Sequence, residues 1–316
     1  MTAKSNNIGS ESVEPETRMI LAHQRESFEK LLKVARASFA VDRNRLLLKP
    51  RCATLITGPS GSGKSFLARE VAKELSVPIL ELSASEWILL GCSQRGATHT
   101  WFLILKFLLR NNHENGIIFI DEIDKIGHEN SPYLSFLRVE CFKLLDQKIP
   151  EGLTDENDCQ VDDAKRIKAE AVLQNTLIFA AGAFQSTLWD KSPRNGMGFG
   201  ADLSKPPEID PTNLTDLPIE LVNRFRSDLV ILPQLVESDY FQMLAHAEKA
   251  VAKHLRQTFM RLGVKGIPKA LRCRQGCRFI EELLLDAIIE EREMLNLTPT
   301  PVAPSTLTKN FEIQIE

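Results

Sequence analysis

One stretch decides the fold: Ala53-Thr-Leu-Ile-Thr57, followed at once by Gly58-Pro-Ser-Gly-Ser-Gly63-Lys64-Ser65. The first five residues are apolar or β-branched, as in a buried strand, and a helical pattern begins at Lys64. Between the two, glycines keep Cβ atoms away from any group that approaches the backbone closely. Because backbone N–H groups at a helix N-terminus favour anions, this strand, loop and helix predict a site for several phosphates.

Two side chains of this loop have chemical roles of their own. Lys64 supplies a mobile positive charge for the β- and γ-phosphates of a nucleotide, and the Ser65 hydroxyl can reach Mg²⁺. The residues expected to contact the nucleotide are Gly58, Pro59, Ser60, Gly61, Ser62, Gly63, Lys64, Ser65 and Phe66. The loop therefore predicts a nucleoside triphosphate and Mg²⁺ as cofactors.

A second motif, Gly116-Ile-Ile-Phe-Ile-Asp121-Glu122-Ile-Asp124, is typical of a buried strand that ends in two adjacent carboxylates. At the carboxyl end of such a strand, beside the phosphate loop, Asp121 would hold the hydration shell of Mg²⁺. Glu122 would orient and deprotonate the attacking water. Asp124 is expected to orient the neighbouring loop or to face an adjoining subunit. The resulting candidates are Ser65 and Asp121 for the metal, with Lys64 and Glu122 for catalysis.

Beyond these motifs, short aliphatic runs alternate with longer helical patterns, which indicates a parallel sheet covered by helices. The runs predicted as strands are Ala53–Thr57, Val77–Leu82, Ile117–Asp121, Thr176–Ala181 and Asp228–Leu232. Helices are expected at Lys64–Leu75, within Ala97–Arg110, across Tyr133–Gln147 and beyond Val236, with one or two more between Arg18 and Leu48. The predicted class is α/β, with a five-stranded parallel sheet sandwiched by helices.

The domain organisation follows from where this alternation begins and stops. We expect a flexible N-terminal arm at 1–17, a nucleotide-binding α/β domain at 18–235, a helical domain at 236–296 and a C-terminal tail at 297–316. The acidic segment Glu151–Asp163 is predicted to be a solvated excursion. The stretch from Gln185 to Thr215, with its Gly, Pro and Asn clusters, is predicted to be irregular.

Bulk composition argues against several classes of protein. The chain has 316 residues, of which 43% are hydrophobic, and 39 basic against 42 acidic side chains give a formal net charge of −3. The hydrophobic content is untypical of a disordered chain. The charge balance indicates neither a nucleic-acid nor a membrane binder, although a local basic groove stays open. The most apolar segment, Trp101–Leu109, is interrupted by Lys106 and is too short to cross a bilayer. Six scattered cysteines are typical of reduced thiols, so we expect a cytoplasmic protein.

In the order of its motifs, the chain resembles the AAA+ ATPases, in particular the ClpX- and HslU-type unfoldases. Ile117–Ile126 is similar to their Walker B region, Thr176–Gln185 to their fourth-strand segment, and Leu217–Phe225 to the segment that carries their arginine finger. The resemblance covers roughly Ala53 to Glu290. It implies a P-loop NTPase domain with ATP and Mg²⁺, a small all-helical lid, and a homo-oligomeric ring, typically a hexamer.

The resemblance also assigns roles to arginines. Arg224 would project into the site of the next subunit and stabilise charge on the transferred phosphoryl group, with Arg226 as the alternative candidate. Sensor 2, an arginine at the start of a lid helix, falls on Arg274 when Phe279–Asp286 is matched without gaps. A Gly-x-Arg match places it on Arg278, so both residues stay open.

The polar residue that many relatives place at sensor 1 is replaced by the apolar stretch Ala181–Ala183. Gln185 could reach the attacking water from further along the chain. The aromatic residue with which unfoldases grip a polypeptide is also missing, because Cys92 stands at that position. Trp87 is the alternative candidate, although its place at a strand-to-helix corner favours burial. No counterpart of the zinc-binding module of ClpX is recognised.

Two functions are compatible with these features. The first is Mg²⁺-dependent ATP hydrolysis coupled to remodelling of a protein or nucleoprotein partner. The second is an ATP-gated switch or loader that binds and releases a partner without threading it. A P-loop kinase of a small molecule is disfavoured by the Asp121-Glu122 pair and by the long helical C-terminal region.

Overall fold

The computed structural model describes residues 20–41, 43–47, 50–91, 98–110, 115–127, 132–151, 153, 161–185, 214 and 216–294. The segments predicted as arm and tail lie outside these residues, as do most of Glu151–Asp163 and of Gln185–Thr215. The elements are α1 (Ala22–Phe39), β1 (Ala53–Thr57), α2 (Lys64–Leu75), β2 (Ile79–Ser83), α3 (Ala84–Gly91), α4 (Thr98–Arg110), β3 (Gly116–Asp121), α5 (Pro132–Leu145), α6 (Asp163–Gln174), β4 (Thr176–Gly182), α7 (Ile219–Val222), β5 (Val230–Ile231), α8 (Glu237–Ala250), α9 (Arg256–Arg272) and α10 (Arg278–Met294).

The five strands form one parallel sheet in the order β2-β3-β4-β1-β5, which confirms the predicted fold class. Ala180 of β4 lies opposite Leu55 of β1 on one side and Ile120 of β3 on the other. These central strands are buried on both faces, which explains their nearly continuous aliphatic composition. The carboxyl ends of β1 and β3 therefore meet at the same edge of the sheet.

Alternate strand residues build a separate core on each face of the sheet, as the period of two requires. On one face Ile118 and Ile120 pack into a cluster that includes Trp87 of α3 and Trp101 of α4. On the other face Ile117, Phe119 and Phe179 belong to a cluster formed with side chains from α1 and α2. The sheet thus lies between two sets of helices.

Helices α8, α9 and α10 pack around a third apolar cluster, in which Tyr240 and Phe279 meet edge to face with ring centroids 5.6 Å apart. Leu21, immediately before α1, belongs to this cluster as well. These three helices, called the lid below after the domain that the resemblance implies, also contact α1 itself, where His23 lies 3.7 Å from Asp239 of α8. The domain limits predicted from the sequence stay predictions. No helix in the part of the chain that the structure describes has the length and apolar character needed to cross a bilayer.

Several predicted bounds need correction. Strand β2 begins at Ile79 rather than Val77, because the Val77 N–H donates to the carbonyl of Ala72 and closes the end of α2 at 3.0 Å. Strand β5 has two residues instead of five, since pairing with β1 is limited to Ile56 and Thr57. Helices α3, α6 and α7 were not among the predicted elements.

Candidate functional site

The loop between β1 and α2 has the backbone shape that its glycines predict. Gly61 and Gly63 have φ of 76° and 90°, a left-handed conformation that favours glycine. Gly58 is packed closely, because a Cβ atom there would lie 2.8 Å from that of Leu232. The loop delivers the chain into the first turn of α2, where backbone N–H groups favour an anion.

The side chain of Lys64 lies along this loop. Its ammonium donates hydrogen bonds to the carbonyls of Gly58 and Pro59, at 2.8 and 3.0 Å. Burial lowers the pKa of Lys64, and the nearby carboxylates of Asp121 and Asp124 oppose that shift. The loop thus presents a partly desolvated cation at the expected phosphate position.

Ser65 and Asp121 lie in direct contact, as the sequence pattern predicts for a shared metal site. The Ser65 hydroxyl donates to Asp121 Oδ2 at 2.6 Å. Hydroxyl and carboxylate oxygens are hard ligands, and Mg²⁺ in nucleotide sites typically uses one or two protein ligands together with phosphates and waters. The two residues therefore fit Mg²⁺.

Glu122 follows Asp121 in a left-handed conformation, with φ of 56°, and its N–H donates to Asp121 Oδ1 at 2.9 Å. Its exposed carboxylate accepts a short hydrogen bond from the Ser85 hydroxyl at the start of α3. The sequence motifs did not reveal Ser85. The strand order could have done so, because Ser83 at the end of β2 lies opposite Asp121 in the sheet.

Asp124 is buried and orients the loop after β4, one of the two roles expected for it. Its Oδ2 accepts a hydrogen bond from the N–H of Phe184 at 3.4 Å. The Phe184 ring is fully buried and its φ is 47°, so the chain turns sharply there. This turn brings Gln185 to the cavity that Lys64 lines.

A cavity of about 370 Å³ joins these groups, lined among others by Lys64, Asp121, Glu122 and Arg278. A second cavity of similar size lies on the lid side of the loop and is lined by Pro59, Ser60, Arg274 and Arg278. Arg278 thus faces both cavities, whereas Arg274 lines only the second of them. Phe66 also lines the first cavity.

The phosphate loop is held from two sides by elements that the motifs did not indicate. The N–H of Cys277 in the lid donates to the carbonyl of Gly61 at 3.0 Å. From the opposite direction, the side-chain amide of Gln24 in α1 donates to the carbonyl of Ser62 at 2.9 Å. A Cβ atom on Gly63 would lie 2.2 Å from the Nε2 atom of Gln24. Gln24 is far away in sequence, so spacing alone gave no signal.

Arg224 and Arg226 do not join this constellation. Arg224 donates to Asp146 at 2.9 Å, and its guanidinium lies 4.2 Å from the centroid of the Phe142 ring. It lines a cavity with Cys52, which precedes β1, whereas the phosphate loop follows β1. The backbone of Arg226 bonds to Ala53 at the same end of the strand. Both arginines thus lie at the opposite edge of the sheet.

The two candidates for a gripping residue have different outcomes. Trp87 is buried, and its indole N–H donates to Glu140 of α5 at 2.9 Å. Burial raises the pKa of Glu140, and the Trp87 bond opposes the shift. The burial favoured by the sequence is therefore confirmed. Cys92 lies outside the described residues.

The chain is similar to known proteins in the region that contains the phosphate loop. Residues 54–147 match the family described as ATPase family associated with various cellular activities (AAA). The ATP-dependent Clp protease ATP-binding subunit ClpX of Treponema denticola is 26% identical over 75% of this chain and 65% of its own length. The ATP-dependent zinc metalloprotease FtsH of Thermotoga maritima is 34% identical, and that of Methylococcus capsulatus 41%, over 34% and 23% of this chain.

The chain spans less than two thirds of the ClpX subunit and less than a fifth of either FtsH. The matched residues contain both the phosphate loop and the Asp121-Glu122 strand end. Through residues 54–147, the chain carries a domain of the AAA family of ATPases.

Proposed function

We propose that this chain hydrolyses ATP with Mg²⁺ and uses the reaction to remodel a protein or nucleoprotein partner. The observation that carries the proposal is the contact of Ser65 with Asp121, beside a second carboxylate that faces the same cavity as Lys64. A metal site next to a base and a cation is what phosphoryl transfer to water requires. The similarity to the ATP-dependent Clp protease ATP-binding subunit ClpX and to the ATP-dependent zinc metalloprotease FtsH supports this choice.

Each residue has one task in this mechanism. Ser65 and Asp121 would hold Mg²⁺, which would neutralise charge on the phosphate oxygens. Lys64 binds the same oxygens, while Glu122 orients the attacking water and accepts its proton. Ser85 positions the carboxylate of Glu122 through its hydroxyl. Arg278 supplies positive charge from the lid.

Steady-state ATP turnover of Glu122→Gln tests the proposal. Because glutamine keeps the shape of the side chain but accepts no proton, we expect turnover to fall by about 100-fold or more, while ATP binding is retained. Glu29→Gln, on an exposed position of α1, is the matched control and should behave as the wild type. Wild-type protein without turnover, or equal rates in the two variants, would refute the catalytic claim.

We also propose that the active form is a ring, typically a hexamer, in which Arg224 serves the neighbouring subunit. Arg224 lies about 17 Å of strand away from the phosphate loop of its own chain, given five residues at about 3.3 Å each. A finger at that distance can act only on another copy. Sedimentation with ATP and the Glu122→Gln variant should reveal the assembly, and a persistent monomer would contradict it.

A second candidate function, an ATP-gated switch or loader, is favoured by the burial of Trp87. A buried indole that bonds to Glu140 cannot grip a polypeptide. The Glu122→Gln variant should retain ATP and capture the partner. With the partner in hand, Cys92→Ser separates the functions, because a threading motor should lose partner-stimulated turnover whereas a switch should keep it.

A further inference from the structure

Helix α9 of the lid has a one-sided charge that the proposed function does not use. Its 17 residues include five basic side chains and no acidic one, although the whole chain has a net charge of −3. The five are Arg256, Arg261, Lys265, Lys269 and Arg272. The local basic surface that overall composition left open is therefore present.

Four of these residues lie on one face of the helix, and we call them the basic stripe: Arg261, Lys265, Lys269 and Arg272. Their spacing of four, four and three residues keeps them within about 80° around the axis at 3.6 residues per turn, over about 16 Å of length. All four are exposed. The opposite face, with Phe259, Gly263 and Ile267, is buried in the lid core.

Most of this charge is not compensated. Arg261 forms an ion pair with Glu290 of α10. Among the residues that the structure describes, Lys265, Lys269 and Arg272 have no ion-pair partner and no side-chain hydrogen bond. Three free cations within about 10 Å of helix repel each other, and a polyanion would relieve that repulsion.

We propose that the basic stripe binds the phosphate backbone of a nucleic acid. A row of like charges matches a strand that carries one phosphate about every 3.4 Å. Lysine is depleted in the cores of protein–protein interfaces, so a protein partner fits this face less well. The one aromatic residue of α9, Phe259, is buried, and no ring is available for base stacking from this helix. Binding should therefore be independent of sequence.

Fluorescence anisotropy of the full chain with labelled duplex DNA, single-stranded DNA and RNA, from low to moderate salt, tests this proposal. The test variant is Lys265→Glu/Lys269→Glu. Its control, Lys165→Glu/Lys168→Glu on exposed positions of α6, changes the net charge equally. We expect log K of the test variant to fall less steeply with log salt, with a slope smaller in magnitude by about 1.8 for duplex or about 1.4 for single strands, whereas the control keeps the wild-type slope.

The outcomes separate this inference from its rivals. No binding by the wild type at low salt, or equal slopes in the two variants, would overturn it. A test variant that changes the oligomeric state while nucleic-acid binding stays intact would show that the stripe docks another copy of the chain. The measurement needs no ATP turnover, so its failure and that of the proposed hydrolysis are distinguishable. Melting temperatures of both variants report on folding.

Discussion

At the scale of single residues, Lys64 shows that the phosphate site works against the stability of the folded chain. Its ammonium is partly buried, and burial lowers its pKa below the usual 10.5. The unfolded chain then holds this proton to higher pH than the folded chain does. In the pH range where Lys64 is protonated in the unfolded chain but not in the folded chain, the free energy of unfolding rises with pH. The stabilising trend begins at the lowered pKa of the folded state and ends near pH 10.5.

Replacing Lys64 with methionine should remove this contribution. Methionine has no ionisable group, so the difference in proton binding between the folded and unfolded chains at this position is lost. We therefore expect the free energy of unfolding of Lys64→Met to rise less steeply than that of the wild type as pH increases towards about 10.5. Urea unfolding at several pH values measures the difference. Lys168→Met, at an exposed position, should leave the slope unchanged. Identical slopes for wild type and Lys64→Met would show that burial of the ammonium has no such effect.

The two sensor 2 candidates, Arg274 and Arg278, can be distinguished by single substitutions. Arg278 faces the cavity that contains Lys64 and Glu122, while Arg274 lines the cavity on the other side of the loop. A positive charge aimed at the transferred group is worth about 100-fold in rate. Arg278→Ala should therefore lower ATP turnover by about that factor, and Arg274→Ala by much less. The reverse order in a steady-state assay would favour the ungapped alignment.

At the scale of elements, the sequence allowed prediction where local pattern and burial agree. Strand β1 and helix α2 have the predicted bounds, because the glycine-rich loop limits both. Helix α6 was not predicted, because it directly follows an acidic run that is typical of a solvated segment. Its first turn is nevertheless capped by Asp162, whose carboxylate accepts from the Ala164 N–H at 3.2 Å. Helix α3, with eight residues, is too short for a clear period.

Contacts between distant elements could not be predicted by spacing. Gln24 reaches the phosphate loop from α1, and Ser85 reaches Glu122 across the edge of the sheet. Both contacts depend on strand order and helix packing, which a motif does not encode. What the motifs did predict was the contact of Ser65 with Asp121, because parallel strands end at the same edge.

The lid passes close to the phosphate loop at Gly276. Gly276 has φ of 62°, and a Cβ atom there would lie 2.4 Å from the carbonyl oxygen of Gly61. Gly276→Ala should lower the free energy of unfolding by about 1 to 3 kcal/mol and weaken ATP binding, since the lid must shift away from the loop. Chemical denaturation and ATP titration measure both effects. Cys273→Ala, in the same connection but exposed, is the control.

A Gly276→Ala variant with wild-type stability and ATP affinity would mean that the close approach of the two loops is not required. A loss of stability with unchanged affinity would place the effect in the backbone conformation alone. Only the loss of both supports the view that the lid position and phosphate binding are coupled through the bond from Cys277 to Gly61.

At the scale of the whole molecule, the sheet separates two functional ends. The phosphate loop, the lid and the start of α1 meet at the carboxyl edge, where Cys277 and Gln24 contact the loop. Arg224 lies at the amino edge and is held by Asp146 and the Phe142 ring. A molecule with a site at one edge and a candidate finger at the other is suited to head-to-tail association, which closes into rings when the rotation permits.

Mixing two inactive variants tests whether the ends of different copies work together. Glu122→Gln keeps Arg224 but lacks the base, whereas Arg224→Ala keeps the base but lacks the finger. In a ring assembled at random from equal amounts, about a quarter of the interfaces join an intact base to an intact finger. We therefore expect the mixture to recover about a quarter of wild-type ATP turnover, although each variant alone is nearly inactive. A mixture no more active than the sum of its components would show that Arg224 does not act on a neighbour. If Arg226→Ala is nearly inactive alone but recovers turnover when mixed with Glu122→Gln, the finger is assigned to Arg226.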